Sequence, residues 1–261
     1  MRSRMVTGAG KATRDVDTIA PLAPNAWLRY DLVERMLPAG ITDVLEIGCG
    51  RGAYGVRLAQ RYRYVGVEPD LESCTVAKRR VAAAGSGEVR NVAAEDLGDE
   101  QFDLVCAFEV LEHLEDDATA VKQWASRIRP GGWLLLSVPA DQHRFNAFDT
   151  LVGHFRRYDP EVMAALLTSC GFGDVTVRRY GYPLNSVTEA GRAYIGRRRL
   201  AAASTAASSV SERTAGSGRV MQPSTALTGT VTRLGTAPFR HLQRLFPGKG
   251  VGLVSLARLA G

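Results

Sequence analysis

No run of this chain approaches the roughly 18 consecutive apolar residues that a membrane-spanning helix needs. The N-terminal Met1-Arg2-Ser3-Arg4 is basic but has no apolar stretch behind it. A membrane span and a secretory leader are therefore not expected, and a soluble, cytoplasmic protein is. Cysteine is scarce: Cys49, Cys74, Cys106 and Cys170 stand far apart without a C-x-x-C pair. That spacing disfavours a disulfide framework and suits buried free thiols in a reducing compartment. Acid is nearly missing from the C-terminal part. Residues 192–261 hold 11 Lys+Arg against 1 Asp+Glu, a net +10, whereas residues 1–191 hold 22 against 26, a net −4. The basic pI thus belongs to one end of the chain, and the body of the protein is not expected to bind nucleic acid.

What is present is enough to bury one full core: 261 residues, 45% of them hydrophobic, fit a single domain with an elaboration. Residues 1–23 show no apolar period and read as a flexible arm. From Pro24 the spacing of Ala26, Trp27, Tyr30, Leu32, Val33, Met36 and Leu37 predicts an amphipathic helix, stopped by Pro38 and Gly40. Short β-prone runs then alternate with helical periods. Strands are expected at 43–47, 64–68, 88–92, 103–108, 133–138 and 174–180, a pattern that implies a parallel sheet covered on both faces.

The run Val44-Leu45-Glu46-Ile47-Gly48-Cys49-Gly50-Arg51-Gly52 reads as a buried strand, a tight turn and the start of a helix. Alternating glycines allow positive φ and let a ligand approach the backbone. The order is Glu-x-Gly-x-Gly-x-Gly, with an acid ahead of the glycines. An anion there suits a ligand with cationic groups and would repel a pyrophosphate, which disfavours a nicotinamide-dependent dehydrogenase.

At this point the sequence resembles the class I S-adenosylmethionine-dependent methyltransferases, particularly the broad group containing the ubiquinone-type O-methyltransferases. Tyr64-Val65-Gly66-Val67-Glu68-Pro69-Asp70 is similar to that family's second motif. Phe102 to His113 is similar to its fourth-strand motif, and Arg129-Pro130-Gly131-Gly132-Trp133 to its turn into strand five. The resemblance covers residues 27–181. It implies a Rossmann-like, doubly wound seven-stranded α/β sheet, mostly parallel with strand 7 antiparallel. It also implies S-adenosyl-L-methionine as cofactor, with S-adenosyl-L-homocysteine as product. On this reading the cofactor residues are Arg29, Glu46, Gly48, Cys49, Gly50, Gly52, Glu68, Pro69, Ala94, Glu95, Phe108 and Glu109. Glu68 accepts the ribose hydroxyls, and Arg29 lies near the cofactor carboxylate or is simply a solvated helix arginine. Ala93 stands where relatives often carry an aspartate for the adenine amino group, so that contact falls to Glu95, to Asp96 or to the backbone at Ala94.

For the acceptor, His113 lies at i+4 from Glu109, where both can share one helical side. The aromatic, basic segment 141–158 suits a pocket wall or lid. His154, His113 and Tyr158 are the catalytic candidates. Glu115-Asp116-Asp117 read as helix-start acids rather than metal ligands, and no metal is expected. Asp159-Pro160-Glu161 has the order of N-cap, first-turn proline and acid. The run 250–258 is the remaining candidate for strand seven, leaving 183–249 as a helical, basic insertion with Ser208–Ser217 as a mobile Ser/Gly-rich link. Apolar Leu227, Val231, Leu234, Phe239, Leu242, Leu245 and Phe246 alternate there with arginines. The insertion is a cover over the site or a homodimer surface, or it docks on an anionic membrane or a carrier protein. The expected function is methyl transfer to a small, moderately apolar metabolite, of the kind found in secondary metabolism. O-methylation is favoured over N- or C-methylation. The alternative is a cofactor-binding protein with a non-methylating or interaction role.

Overall fold

The computed structural model describes residues 22–85, 87–203 and 226–261. The expected arm up to residue 21 and the Ser208–Ser217 link lie outside the described residues. Seven strands form one sheet in the order β3-β2-β1-β4-β5-β7-β6. They are β1 (Asp43–Ile47), β2 (Arg63–Val67), β3 (Gly87–Arg90), β4 (Phe102–Phe108), β5 (Ile128–Pro139), β6 (Phe172–Gly181) and β7 (Gly250–Leu259). The first five pair in parallel, and β7 runs antiparallel between β5 and β6, as the resemblance implied. Strand five starts earlier than its apolar run suggests, because Ile128 already pairs with Phe102 across a register shift.

Alternation along the central strands sends side chains to two separate apolar layers. Leu45, Ile47, Val105, Ala107, Leu134 and Leu136 join Val121 and Trp124 of α4 (Asp117–Ala125) and Met163 and Leu167 of α6 (Pro160–Ser169). Val44, Leu104, Cys106 and Leu135 point the other way. They meet Leu28, Leu32 and Val33 of α1 (Pro24–Met36), Leu58 of α2 (Gly55–Ala59) and Ala77 and Val81 of α3 (Leu71–Ala84). Both faces are covered, which is why the strands read as continuous apolar runs. Asp116 caps α4 through Thr119 N at 2.9 Å, the role expected of a helix-start acid. Asp159 precedes α6 as predicted but does not cap it; its carboxylate accepts from Gln142 N at 3.3 Å.

Between β6 and β7 come α7 (Leu184–Ala203) and α8 (Ala226–Arg244). Helix α7 lies over α5 (Ala147–Val152), so closely that a Cβ at Gly196 would fall 2.5 Å from Phe148 N. Helix α8 packs on α1, where Gln243 Nε2 donates to Leu28 O at 3.0 Å and Arg244 pairs with Asp31.

The entry of β7 past Tyr180 needs two bare positions. Gly250 has φ +149°, and a Cβ there would lie 2.1 Å from Tyr180 O; one at Gly252 would lie 2.3 Å from the Tyr180 ring. Gly250→Ala is expected to lower unfolding stability by about 2–4 kcal/mol, from backbone strain and overpacking. The midpoint in thermal denaturation should fall by roughly 5–10 °C; an unchanged midpoint would contradict this packing.

Candidate cofactor and acceptor site

Strands β1 and β4 sit side by side at the point where the connections diverge to the two faces, and their carboxyl ends open a crevice. The turn after β1 holds three glycines at positive φ: Gly48 (+66°), Gly50 (+54°) and Gly52 (+71°). Their surroundings differ. A Cβ on Gly48 would strike Val110 Cγ2 at 2.7 Å, whereas one on Gly50 would meet nothing within 4 Å. A Cβ on Gly52 would press on Ala77 at 3.1 Å. Gly52 therefore serves the packing of the turn on α3 and is not on the crevice, which corrects its expected place among the ligand-facing residues.

Two acids flank this turn. Glu68 follows β2, accepting from Gly50 N at 2.8 Å and Asp70 N at 2.9 Å. Each carboxylate oxygen keeps a further lone pair for a hydroxyl. Burial raises its pKa above the ordinary value even though those two N–H groups favour the charged form. Glu46, on β1, is only 3% exposed, and Tyr64 Oη donates to it at 2.6 Å. Burial is the main reason its pKa is pushed up to about 8; the Tyr64 hydrogen bond and Arg29 oppose the shift.

Across the crevice Arg29 of α1 pairs with Glu109 at 3.2 Å, and Ser137 Oγ (3.0 Å) and Tyr180 Oη (3.2 Å) donate to the same carboxylate oxygen. Burial works against the Arg29 charge, but Glu109 and Tyr180 outweigh it and raise its pKa. Phe108 packs on Tyr54 at a tilt, with centroids 4.6 Å apart. These groups form one wall of a cavity of about 880 Å³. Arg29, Glu46, Gly48, Cys49, Gly50, Glu68, Pro69, Ala94, Glu95, Phe108, Glu109, His113 and His154 all line it.

Tyr158 does not. It is 1% exposed, its hydroxyl donates to Asp117 at 2.9 Å, and an isolated parallel bridge to Ala140 holds it in the core. It is a structural residue, which corrects its place among the catalytic candidates. The expected helical turn from Glu109 to His113 is also absent. Glu109 has φ +59°, and only Leu111–His113 forms a short 3₁₀ turn. The two side chains still reach the same cavity.

The opposite wall is the His154 cluster. His154 Nδ1 lies 2.9 Å from Asp149 Oδ1. Arg157 Nε donates to both oxygens of Asp149 at 3.0 Å, and its Nη1 lies 2.5 Å from Glu189 of α7. Burial alone would raise Asp149, but bonds from His154 and Arg157 hold it below the usual carboxylate range. The His113 ring meets His154 edge-on at 4.7 Å. Burial, then the neighbouring His154, pushes His113 down to about 4. Beneath them Glu112 is fully buried; among the described residues neither carboxylate oxygen has a hydrogen-bond partner, and Oε1 lies 3.9 Å from His154 Nε2. Burial and the Glu109 charge drive its pKa well above the usual carboxylate range. Ligand atoms of Glu112, His113 and His154 lie within 4.8 Å of one another, a grouping of metal-ligand types that the sequence did not suggest. Asp149, Tyr180, Glu112 and Glu189 are the site residues that sequence reasoning missed. The Asn146-x-x-Asp149 capping box was a local sign of the first alone.

An open glycine turn, an anchored carboxylate with spare lone pairs and a second, buried acid fit a ribose next to a cationic amino-acid group. With this sheet order, they are the arrangement that the resemblance to class I S-adenosylmethionine-dependent methyltransferases implies. Residues 45–136 match the family model described as a methyltransferase domain. Over 179 residues, 62% of this chain and 76% of the relative, the sequence is 29% identical to a ubiquinone biosynthesis O-methyltransferase of Chromobacterium violaceum. It is 32% identical over 159 residues to a probable S-adenosylmethionine-dependent methyltransferase of Mycobacterium tuberculosis, covering 59% of this chain and 58% of that one. A methyltransferase from Thermotoga maritima, a possible histamine N-methyltransferase, shares the fold with a TM-score of 0.54 and 18% identity, covering 90% of this chain and 89% of that one. Residues 45–136 are a methyltransferase domain, the chain is similar to S-adenosylmethionine-dependent methyltransferases beyond it, and S-adenosylmethionine is its cofactor.

The raised Glu46 has a consequence for pH. Its unfolded value is the ordinary 4.5 and its folded value about 8, so the free protein loses stability as pH rises through that window. A cationic ligand favours the ionised form. Cofactor affinity is therefore expected to rise between about pH 6 and 7.5, with proton release on binding. In calorimetry Glu46→Gln should flatten the profile and weaken binding at least about tenfold; a pH-independent wild type would contradict the linkage.

Proposed function

We propose that the protein methylates a hydroxyl of a small, moderately apolar metabolite, with His154 as general base. Bound S-adenosylmethionine supplies a methyl group activated by its sulfonium. Glu68 would hold the ribose and Glu46 the cationic amino-acid end. Arg29, in its pair with Glu109, would face the carboxylate of that end, and Ala94 and Glu95 would edge the adenine.

The observation that carries the base assignment is the His154–Asp149 hydrogen bond of 2.9 Å on the cavity wall. With Nδ1–H donating to Asp149, Nε2 is left as the basic nitrogen. Nε2 takes the hydroxyl proton as the acceptor oxygen attacks, and Asp149 stabilises the imidazolium that forms. Neutral His113 adds no competing charge. Phe148, Val152 and Leu114 line the same region and give it an apolar character that excludes water from the reacting pair. Alignment of two reactants can supply on the order of 7–11 kcal/mol, and a placed base a further factor of about 10² to 10⁴.

In a screen of candidate metabolites with labelled cofactor, an acceptor that gains one methyl group, with equimolar S-adenosylhomocysteine, supports this reading. His154→Ala should then lower turnover at least about tenfold with cofactor affinity little changed, and Asp149→Asn should do the same. Full turnover in His154→Ala would remove the histidine from the chemistry and favour an acceptor that needs no base.

A further inference from the structure

Helix α8 turns a mostly polar side inward, with Phe239 packed on the layer that holds Leu28, Leu32 and Val33. Thr236 and Gln243 are buried, and Gln243 bonds to Leu28 O, Asp31 and Gly181 N. Thr232 donates to Leu22 O at 3.1 Å. Val231, Leu234 and Leu242, with Leu245 in the turn just past the helix end, recur at steps of three, eight and three and so share the other side. They are 62%, 67%, 36% and 73% exposed. A helix that merely roofed the domain would turn these side chains in.

At its C-terminal end the apolar row runs into a basic groove. A cavity of about 330 Å³ between α1, β6 and α8 is lined by Arg35, Arg178, Arg179 and Arg244, with Pro247 at its edge. Asp31 serves both Arg35 and Arg244, and Asp141 serves Arg179. Arg178 has no carboxylate partner among the described residues, so the groove carries surplus positive charge. Beside it Phe246 packs on Tyr182 at 5.2 Å, with Lys249 Nζ within 5.6 Å of both rings.

We propose that the outer face of α8 and the arginine groove at its end dock the protein on an anionic phospholipid surface. The leucines, Val231 and Phe246 enter the boundary between headgroups and acyl chains, while the arginines and Lys249 meet lipid phosphates. An apolar row beside cationic side chains is the arrangement of a helix lying in the membrane interface. Charge selects the occupant. Residues 192–261 carry a net +10, so a second copy would bring like charge to the contact, whereas an anionic bilayer complements it. Among the described residues no helix is long and apolar enough to cross a membrane, so the contact is peripheral.

The test is flotation of the full chain with vesicles of phosphatidylcholine alone and of phosphatidylcholine with phosphatidylglycerol. Binding is expected only to the second, falling as salt rises. The double variant Leu234→Ser/Leu245→Ser should bind at least about tenfold more weakly. Arg178→Glu changes the charge by two units and should bind roughly 25-fold more weakly, at about fivefold per unit. Both should keep wild-type cofactor affinity, which reports an intact fold. Equal binding to the two vesicle types, or binding to neither, would overturn the proposal. So would a concentration-dependent dimer that the leucine variant dissolves.

Discussion

A carboxylate placed where the sheet would otherwise hold hydrocarbon is the constraint on which the rest depends. Glu46 sits between Leu45 and Ile47 on a central strand, with Val44 below it in the same layer. Burial raises its pKa to about 8, and the Tyr64 hydroxyl is its one hydrogen-bond donor among the described residues. Such a position costs stability unless a cation arrives to use it. One strand over, Glu68 is braced by two backbone N–H groups, one of them from Gly50 in the turn. The two acids and the glycine turn thus form one unit, fixed by the parallel register of β1 and β2. Polarity enters the sheet edge at this point.

From that edge the cavity extends past the Arg29–Glu109–Tyr180 cluster, all three of which line it. Each member comes from a different element: α1, the end of β4, and the end of β6. Beyond it lies the His154 wall, tied by Arg157 and Glu189 to α7. The helices between β6 and β7 therefore have two relations to the domain. Helix α7 contributes charge to the proposed acceptor region, and α8 braces α1 while leaving its leucines outward.

Much of this was legible in the sequence because it is local. The strand-glycine-helix run, the acid after strand two and the fourth strand follow from period and spacing within a few residues, and the antiparallel terminal strand from what the resemblance implies for the last β-like run. The rest depended on tertiary neighbours. Tyr158 lies in a run of His, Phe, Arg and Tyr that suits a pocket wall, yet the bridge to Ala140 turns it into the core. Tyr180 looks like an ordinary strand residue until Gly250 and Gly252 let β7 pass and bring its hydroxyl to Glu109. Glu112 carries no sign of full burial, and the positive φ at Glu109 is unreadable from a residue that normally avoids it. The apolar period of 227–246 was visible, but which side faces inward is decided by the polar contacts of Gln243 and Thr232 with α1 and its approach.

The central claim is that the acid-fronted glycine turn, with Glu68 beside it, grips S-adenosylmethionine. The most direct measurement is calorimetric titration of the purified chain with the cofactor and with S-adenosylhomocysteine, repeated on Glu68→Ala. The account predicts one site for each ligand in the wild type and at least about a tenfold loss of affinity in the variant. Absence of binding heat with both ligands, or equal affinities in wild type and variant, would contradict it.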